Sequence, residues 1–165
     1  MAKGVVTKIG GGIGLQIQVL LSEEDIARRV KELGEQISGD YGDKDLVVVG
    51  ILKGAVIFMS DLIRQIKVSL EVDFMATSSY GQSTKTSGVV QLLKDLDTAI
   101  EGRDVLIVED IIDSGLTLSY LSQLLLSRKP ASIKTAVLLD KPDRRQTEFV
   151  PDYVGFSIPD QFVIG

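Results

Sequence analysis

The sequence predicts an α/β fold in which a largely parallel central sheet is flanked by helices. Three observations carry this expectation. Short, nearly continuous β-branched runs recur at residues 45–51, 105–108 and 133–139, the pattern of strands buried on both faces. Segments with apolar residues at helical spacing stand between them. The alternation of the two implies parallel strands joined by helices.

Along the chain, Met1 to Gln16 contains Gly10-Gly11-Gly12-Ile13-Gly14 and shows no sustained amphipathic period. It is expected to be a flexible leader of uncertain origin, residues 1–16, ahead of one domain over 17–165. A phosphate-cradling glycine loop would need a strand-to-helix setting and a Lys-Ser/Thr ending or a dinucleotide fingerprint, and neither is present. Ser22-Glu23-Glu24-Asp25 is similar to a capping box, and Ile26, Val30, Leu33 and Ile37 follow at helical spacing, which predicts a helix over 22–38. The acidic cluster complements the helix dipole there and reads as a helix start rather than a metal site.

Residues 45–51 form the next strand, and Gly54 opens a helix through Val56, Ile57, Leu62, Ile63 and Ile66. Strands are expected at 70–76 and 89–93. Glu101-Gly102-Arg103-Asp104 makes a turn into the strand 105–108, a helix covers 117–128 and stops before Pro130, and 133–139 is another buried strand. A last short strand at 153–158 lies between Pro151 and Pro159. In such folds ligands sit at the carboxyl ends of the strands.

A chain of 165 residues fits one domain, and 44% hydrophobic with 25% charged content excludes disorder and fibrous repeats. Apolar runs such as 46–52 and 136–139 fall short of the roughly 20 residues that span a bilayer, and the N-terminus has no signal-peptide core. The expectation is a cytoplasmic protein without a membrane partner. Cysteine and histidine are both absent, which removes disulfides, thiolate nucleophiles, Ser-His-Asp hydrolysis and the usual zinc cages. A net charge of −5 disfavours a nucleic-acid surface, which must neutralise many phosphates. An oxygen-bound hard cation stays open.

The chemistry concentrates in Val105-Leu106-Ile107-Val108-Glu109-Asp110-Ile111-Ile112-Asp113-Ser114-Gly115-Leu116-Thr117. Glu109-Asp110 alone would read as a solvated strand end, with Thr117 as a helix cap. Together with Ser114, Gly115 and Thr117, the segment supplies hydroxyls, a backbone open to close approach and N–H groups at a helix start, the makings of a phosphate site. Two adjacent carboxylates before it suit a sugar diol or its metal.

This stretch resembles the phosphoribosyl pyrophosphate signature of type I phosphoribosyltransferases, two acidic residues, two apolar ones, then Asp-Ser/Thr-Gly-x-Thr. The resemblance implies that Glu109 and Asp110 hold the ribose hydroxyls directly or through Mg²⁺. It places Ile112, Asp113, Ser114, Gly115, Leu116 and Thr117 around the 5-phosphate, with Asp113 also facing the purine N7 as the catalytic base. Further segments resemble the hypoxanthine-guanine group of that family. Gly50-Ile51-Leu52-Lys53-Gly54-Ala55 is similar to its pyrophosphate loop, which implies a cis peptide before Lys53 and substrate contacts from Leu52, Lys53 and Gly54. Ser79 and Tyr80 match a Ser-Tyr pair in a mobile lid, although composition alone makes 78–88 a surface loop.

Residues 138–145 and 154–165 resemble the purine pocket and a small base-binding hood. The resemblance implies Lys141 on the 6-oxo group, Phe162 stacked on the base, Val163 at its exocyclic edge and Arg145 reaching pyrophosphate. Without it, Phe162 would be core packing and Lys141 a strand-end cation. The expected activity is Mg²⁺-dependent purine salvage from phosphoribosyl pyrophosphate and hypoxanthine or guanine, by a homodimer or homotetramer. A xanthine-directed member and a non-catalytic nucleotide-binding RNA regulator of the same fold are the rivals. The resembled enzymes continue beyond Phe162-Val163-Ile164-Gly165, so the sequence as given is expected to lack their usual C-terminal tail and to turn over slowly.

Overall fold

A computed structural model describes residues 4–9, 16–79 and 90–164. Its elements run β1 (Val5–Ile9), β2 (Gln16–Leu21), α1 (Glu23–Tyr41), β3 (Leu46–Leu52), α2 (Val56–Gln65), β4 (Leu70–Ser79), β5 (Val90–Lys94), β6 (Asp104–Ile112), α3 (Leu116–Leu126), β7 (Ser132–Asp140), a 3₁₀ turn at Pro142–Arg144, β8 (Tyr153–Ser157) and β9 (Val163–Ile164). Among the described residues these form a six-stranded sheet in the order β5-β4-β3-β6-β7-β8 and a three-stranded sheet in the order β2-β1-β9. In the larger sheet only the β4–β5 pair is antiparallel. The α/β expectation with a mostly parallel sheet therefore holds.

Alternate residues of the central strands feed two separate cores. Leu46, Val48, Leu106 and Val108 pack with Ile26, Val30 and Leu33 of α1 and with Phe58, Met59 and Leu62 of α2. Val47, Val49, Val105 and Ile107 face the opposite way, toward Leu118, Leu121 and Leu125 of α3. With both faces covered, β3 has no solvent side: Leu46 to Val49 are at most 1% exposed. That explains why the central strands read as unbroken apolar runs rather than as alternation.

The α1 start follows its sequence signal. The Ser22 hydroxyl accepts the Asp25 amide at 3.1 Å and donates to the Asp25 carboxylate at 2.8 Å, so the acidic cluster belongs to a cap. None of the described helices is long and apolar enough to cross a membrane.

One expectation needs correction. The loose leader expected over 1–16 contains β1, a strand that pairs antiparallel with both β2 and β9. Val5 is 5% exposed and belongs to the same core as Ile26 and Leu33. The physical reason is tertiary: Val5-Val6-Thr7 has no amphipathic length of its own, and its order comes from strands on either side. The glycines at 10, 11, 12 and 14 lie outside the described residues.

Candidate active site

The loops that follow β3, β6 and β7 meet at the carboxyl ends of three neighbouring strands. After four buried residues, β6 carries the half-buried carboxylic residues Glu109 and Asp110, the latter two positions before its end at Ile112. The Asp110 amide donates to the Glu109 carboxyl at 3.1 Å, and the Ile111 amide donates to the Asp110 carboxylate at 2.9 Å. Burial, reinforced by the Asp110 carboxylate alongside, pushes the Glu109 carboxyl up to about 9. The free protein thus keeps a proton on Glu109 at neutral pH.

That proton has a measurable consequence. Below the ordinary value of 4.5 folded and unfolded chains are both protonated at this position. Between there and about 9 the unfolded chain ionises while the folded one keeps its proton, so stability falls as pH rises. Glu109→Gln removes the titration. It should melt with the wild type near pH 4 and several degrees above it by pH 8, at about 2–4 °C per kcal/mol for a domain of this size. Scanning calorimetry of the ligand-free proteins checks it, and parallel pH curves would refute it.

From Asp113 to Thr117 the chain turns from strand into helix. Gly115 adopts φ +81°, the left-handed region, as the N-cap of α3. A Cβ on it would lie 2.5 Å from the Thr147 hydroxyl, so glycine is required both for the turn and for the packing beneath it. The Ser114 hydroxyl accepts the Leu116 amide at 3.3 Å, and the first amides of α3 point into the turn with no carbonyl of their own helix to bind. A hollow of about 120 Å³ opens there, between Glu109, Asp113, Ser114 and Thr117.

Residues 141–147 staple this loop from behind. The Lys141 amide donates to the Ile112 carbonyl at 3.0 Å and the Gln146 amide to the Ser114 carbonyl at 2.9 Å. Arg145 donates to the Asp113 carbonyl at 3.0 Å and pairs with the Asp140 carboxylate. The arginine expected at a pyrophosphate is thus committed, in this structure, to supporting the loop. Asp140 as its anchor was not singled out from the sequence. No local signal marks it, since the pair forms only once the chain after β7 folds back.

On the other side of Asp113 lies a cavity of about 650 Å³ bordered by Gly54, Asp110, Asp113, Lys141, Phe162 and Val163. The Lys141 ammonium, on a residue only 7% exposed, stands 3.6 Å from the Asp113 carboxylate. Phe162 is 67% exposed at the cavity mouth. The Leu52–Lys53 peptide is cis, as the resemblance implies, and Lys53 and Gly54 are exposed just beyond β3. A Cβ on Gly54 would come within 2.5 Å of the Asp110 carboxylate, so this loop lies directly on the β6 end. Ser79 closes β4, one strand further out. Its side chain and Tyr80, the pair expected in a lid, lie outside the described residues, as does the rest of the loop to residue 88. The cavity also takes in Val5, Ile26 and Ile57, which sequence reading missed because nothing local ties the N-terminal strand or the two helices to a ligand.

As for a metal, Glu109 and Asp110 offer carboxylate oxygens to a hard cation, and among the described residues no cluster of three or more ligating side chains surrounds them. The Asp110 carboxylate, with Glu109 giving up its proton to the cation, suits an ion such as Mg²⁺, which fills its remaining positions with water and substrate phosphate.

A family model described as a phosphoribosyl transferase domain matches residues 17–165. The chain belongs to the phosphoribosyltransferase family. Within that family, the hypoxanthine-guanine phosphoribosyltransferase of Bacillus subtilis is 56% identical over 148 residues, covering 90% of this chain and 82% of its own. That of Aquifex aeolicus is 49% identical over 153 residues, covering 92% and 86%. A solved hypoxanthine phosphoribosyltransferase from Staphylococcus aureus matches with a TM-score of 0.83 at 52% identity, covering 87% of this chain and 78% of that one. The phosphoribosyltransferase is therefore a purine-salvage enzyme of the hypoxanthine-guanine group.

Proposed function

We propose that this phosphoribosyltransferase moves the 5-phosphoribosyl group of phosphoribosyl pyrophosphate onto N9 of hypoxanthine or guanine, giving IMP or GMP and pyrophosphate. The observation that carries the reading is the position of Asp113. It borders both the small hollow at the α3 start and the larger cavity that holds Lys141.

In this reading the Ser114 and Thr117 hydroxyls, with the backbone of Gly115 and Leu116, bind the 5-phosphate at a positive helix end. Ile112 closes the wall behind it. Glu109 and Asp110 hold the ribose diol, and Leu52, Lys53 and Gly54 receive the pyrophosphate end. The base enters between Phe162 and the cavity floor, with Lys141 donating to its 6-oxo group and Val163 meeting its exocyclic edge through the backbone. N9 forms its bond to C1 of the ribose as the C1–O bond to pyrophosphate breaks, with inversion. The proton shed from N7 passes to the Asp113 carboxylate. Mg²⁺ at Glu109 and Asp110, together with substrate oxygens, would neutralise charge on the departing pyrophosphate. A cytoplasmic setting and assembly as a homodimer or homotetramer belong to the same proposal.

Initial rates of pyrophosphate release with hypoxanthine, guanine and xanthine, at saturating donor and Mg²⁺, test it. Release with hypoxanthine or guanine above xanthine is expected. Faster release with xanthine would reassign the base, and no purine-dependent release at all would remove the reading.

A further inference from the structure

The strand β1 precedes the family-matched span, residues 17–165, yet it is the middle strand of the smaller sheet. On one side it pairs with β2 over five positions, with a bulge between Val5 and Val6, and β2 runs straight into the cap of α1. On the other side it holds β9 through Val6↔Ile164 and Thr7↔Val163. Among the described residues β9 has no other ladder partner. Thr7 is 3% exposed, and its hydroxyl donates to the Phe162 carbonyl at 3.0 Å. Val5, two residues earlier on the strand, borders the large cavity alongside Phe162, Val163 and Ile164.

Three consecutive residues of the cavity edge are thus fixed by one short strand: Phe162 through the Thr7 hydroxyl, Val163 and Ile164 through the ladder. Val163 packs against the core, while the backbone of this two-residue strand is held in register by β1.

We infer that β1 is a working wall of the base pocket, with Thr7 as the positioning residue that sets the Phe162-Val163 edge and so the affinity for the purine. This rests on the proposed role of that edge in holding the base. Thr7 touches no reacting atom. Its effect should appear in base binding and leave the donor end, built on β3 and β6, unchanged.

The test is Thr7→Val, which keeps shape and removes the donor, with Thr7→Ser as the variant that restores it. In Thr7→Val the KM for hypoxanthine should rise roughly threefold to tenfold, the range of one net hydrogen bond, with kcat and the donor KM changed by less than about twofold. Thr7→Ser should return the base KM to wild type. An unchanged base KM in the folded Val variant overturns the inference. So does a parallel rise in base and donor KM, which would mark a merely structural role. Should Thr7→Val fail to fold, hydrogen exchange on the unmodified chain decides. Amides of residues 6–7 and 163–164 gaining protection together with GMP supports the inference, and protection of 163–164 alone overturns it. A wild-type chain that consumes no 6-oxopurine would strike the proposed function itself, and this inference falls with it.

Discussion

Replacing Asp113 with Asn should lower turnover by about 10²–10⁴-fold, the usual cost of removing a general base, while the donor's dissociation constant stays near wild type. Asn preserves size and can still hydrogen-bond, but it cannot take a proton. The Asp113 side chain is 48% exposed beside the two hollows and 3.6 Å from the Lys141 ammonium, so water and ligand both reach it. Its backbone, not its carboxylate, anchors the loop, because Arg145 bonds to the Asp113 carbonyl. The turn from Asp113 to Thr117 should therefore survive the substitution. Single-turnover rates, with calorimetric titration of the donor, separate the two effects. An unchanged turnover number would take Asp113 out of the chemistry.

The second large effect is expected at Lys141. Lys141→Met keeps the length of the stem in a site only 7% exposed and removes the ammonium. A charge-assisted hydrogen bond to the 6-oxo group is worth about 1.5–3 kcal/mol, so kcat/KM for the base should fall roughly 10–150-fold. Donor affinity should hold, since Lys141 lies on the cavity side of Asp113. Comparison with a purine lacking the 6-oxo group makes the test specific. Such a base should lose little between wild type and variant, and an equal loss would assign Lys141 to packing or to Asp113 instead.

Much of this architecture was legible in the sequence, for identifiable reasons. The central strands announced themselves because both faces are covered, so their runs are apolar without interruption. Ser22 and Asp25 are a local signal and gave a local result, the cap of α1. The segment from Glu109 to Thr117 was legible because strand end, turn and helix start are contiguous in the chain. What stayed hidden was non-local. Thr7 meets Phe162 across 155 positions. β1 and the two-residue β9 carry no period long enough to read, because β1 takes its order from β2 and β9 on either side and β9 from β1. Arg145, expected from the sequence to reach pyrophosphate, has its hydrogen bonds here on the Asp113 carbonyl and the Asp140 carboxylate.

The 155-residue separation between Thr7 and the Phe162 carbonyl also has a bearing on how the molecule assembles. Closing a loop of that span costs more chain entropy than any contact within the βα units, and it is rewarded by two ladder positions, one side-chain bond and the packing of Val163. The β1–β9 pairing, unlike the local β1–β2 hairpin, is thus the part of the fold that forms late, and by the same arithmetic the first to come apart. In the proposed reading the base meets this seam, whereas the 5-phosphate meets β6 and α3, whose apolar residues lie deep in the core. On that reading the binding site would have two halves of different mechanical character: a rigid seat for the sugar phosphate and a compliant jaw for the base.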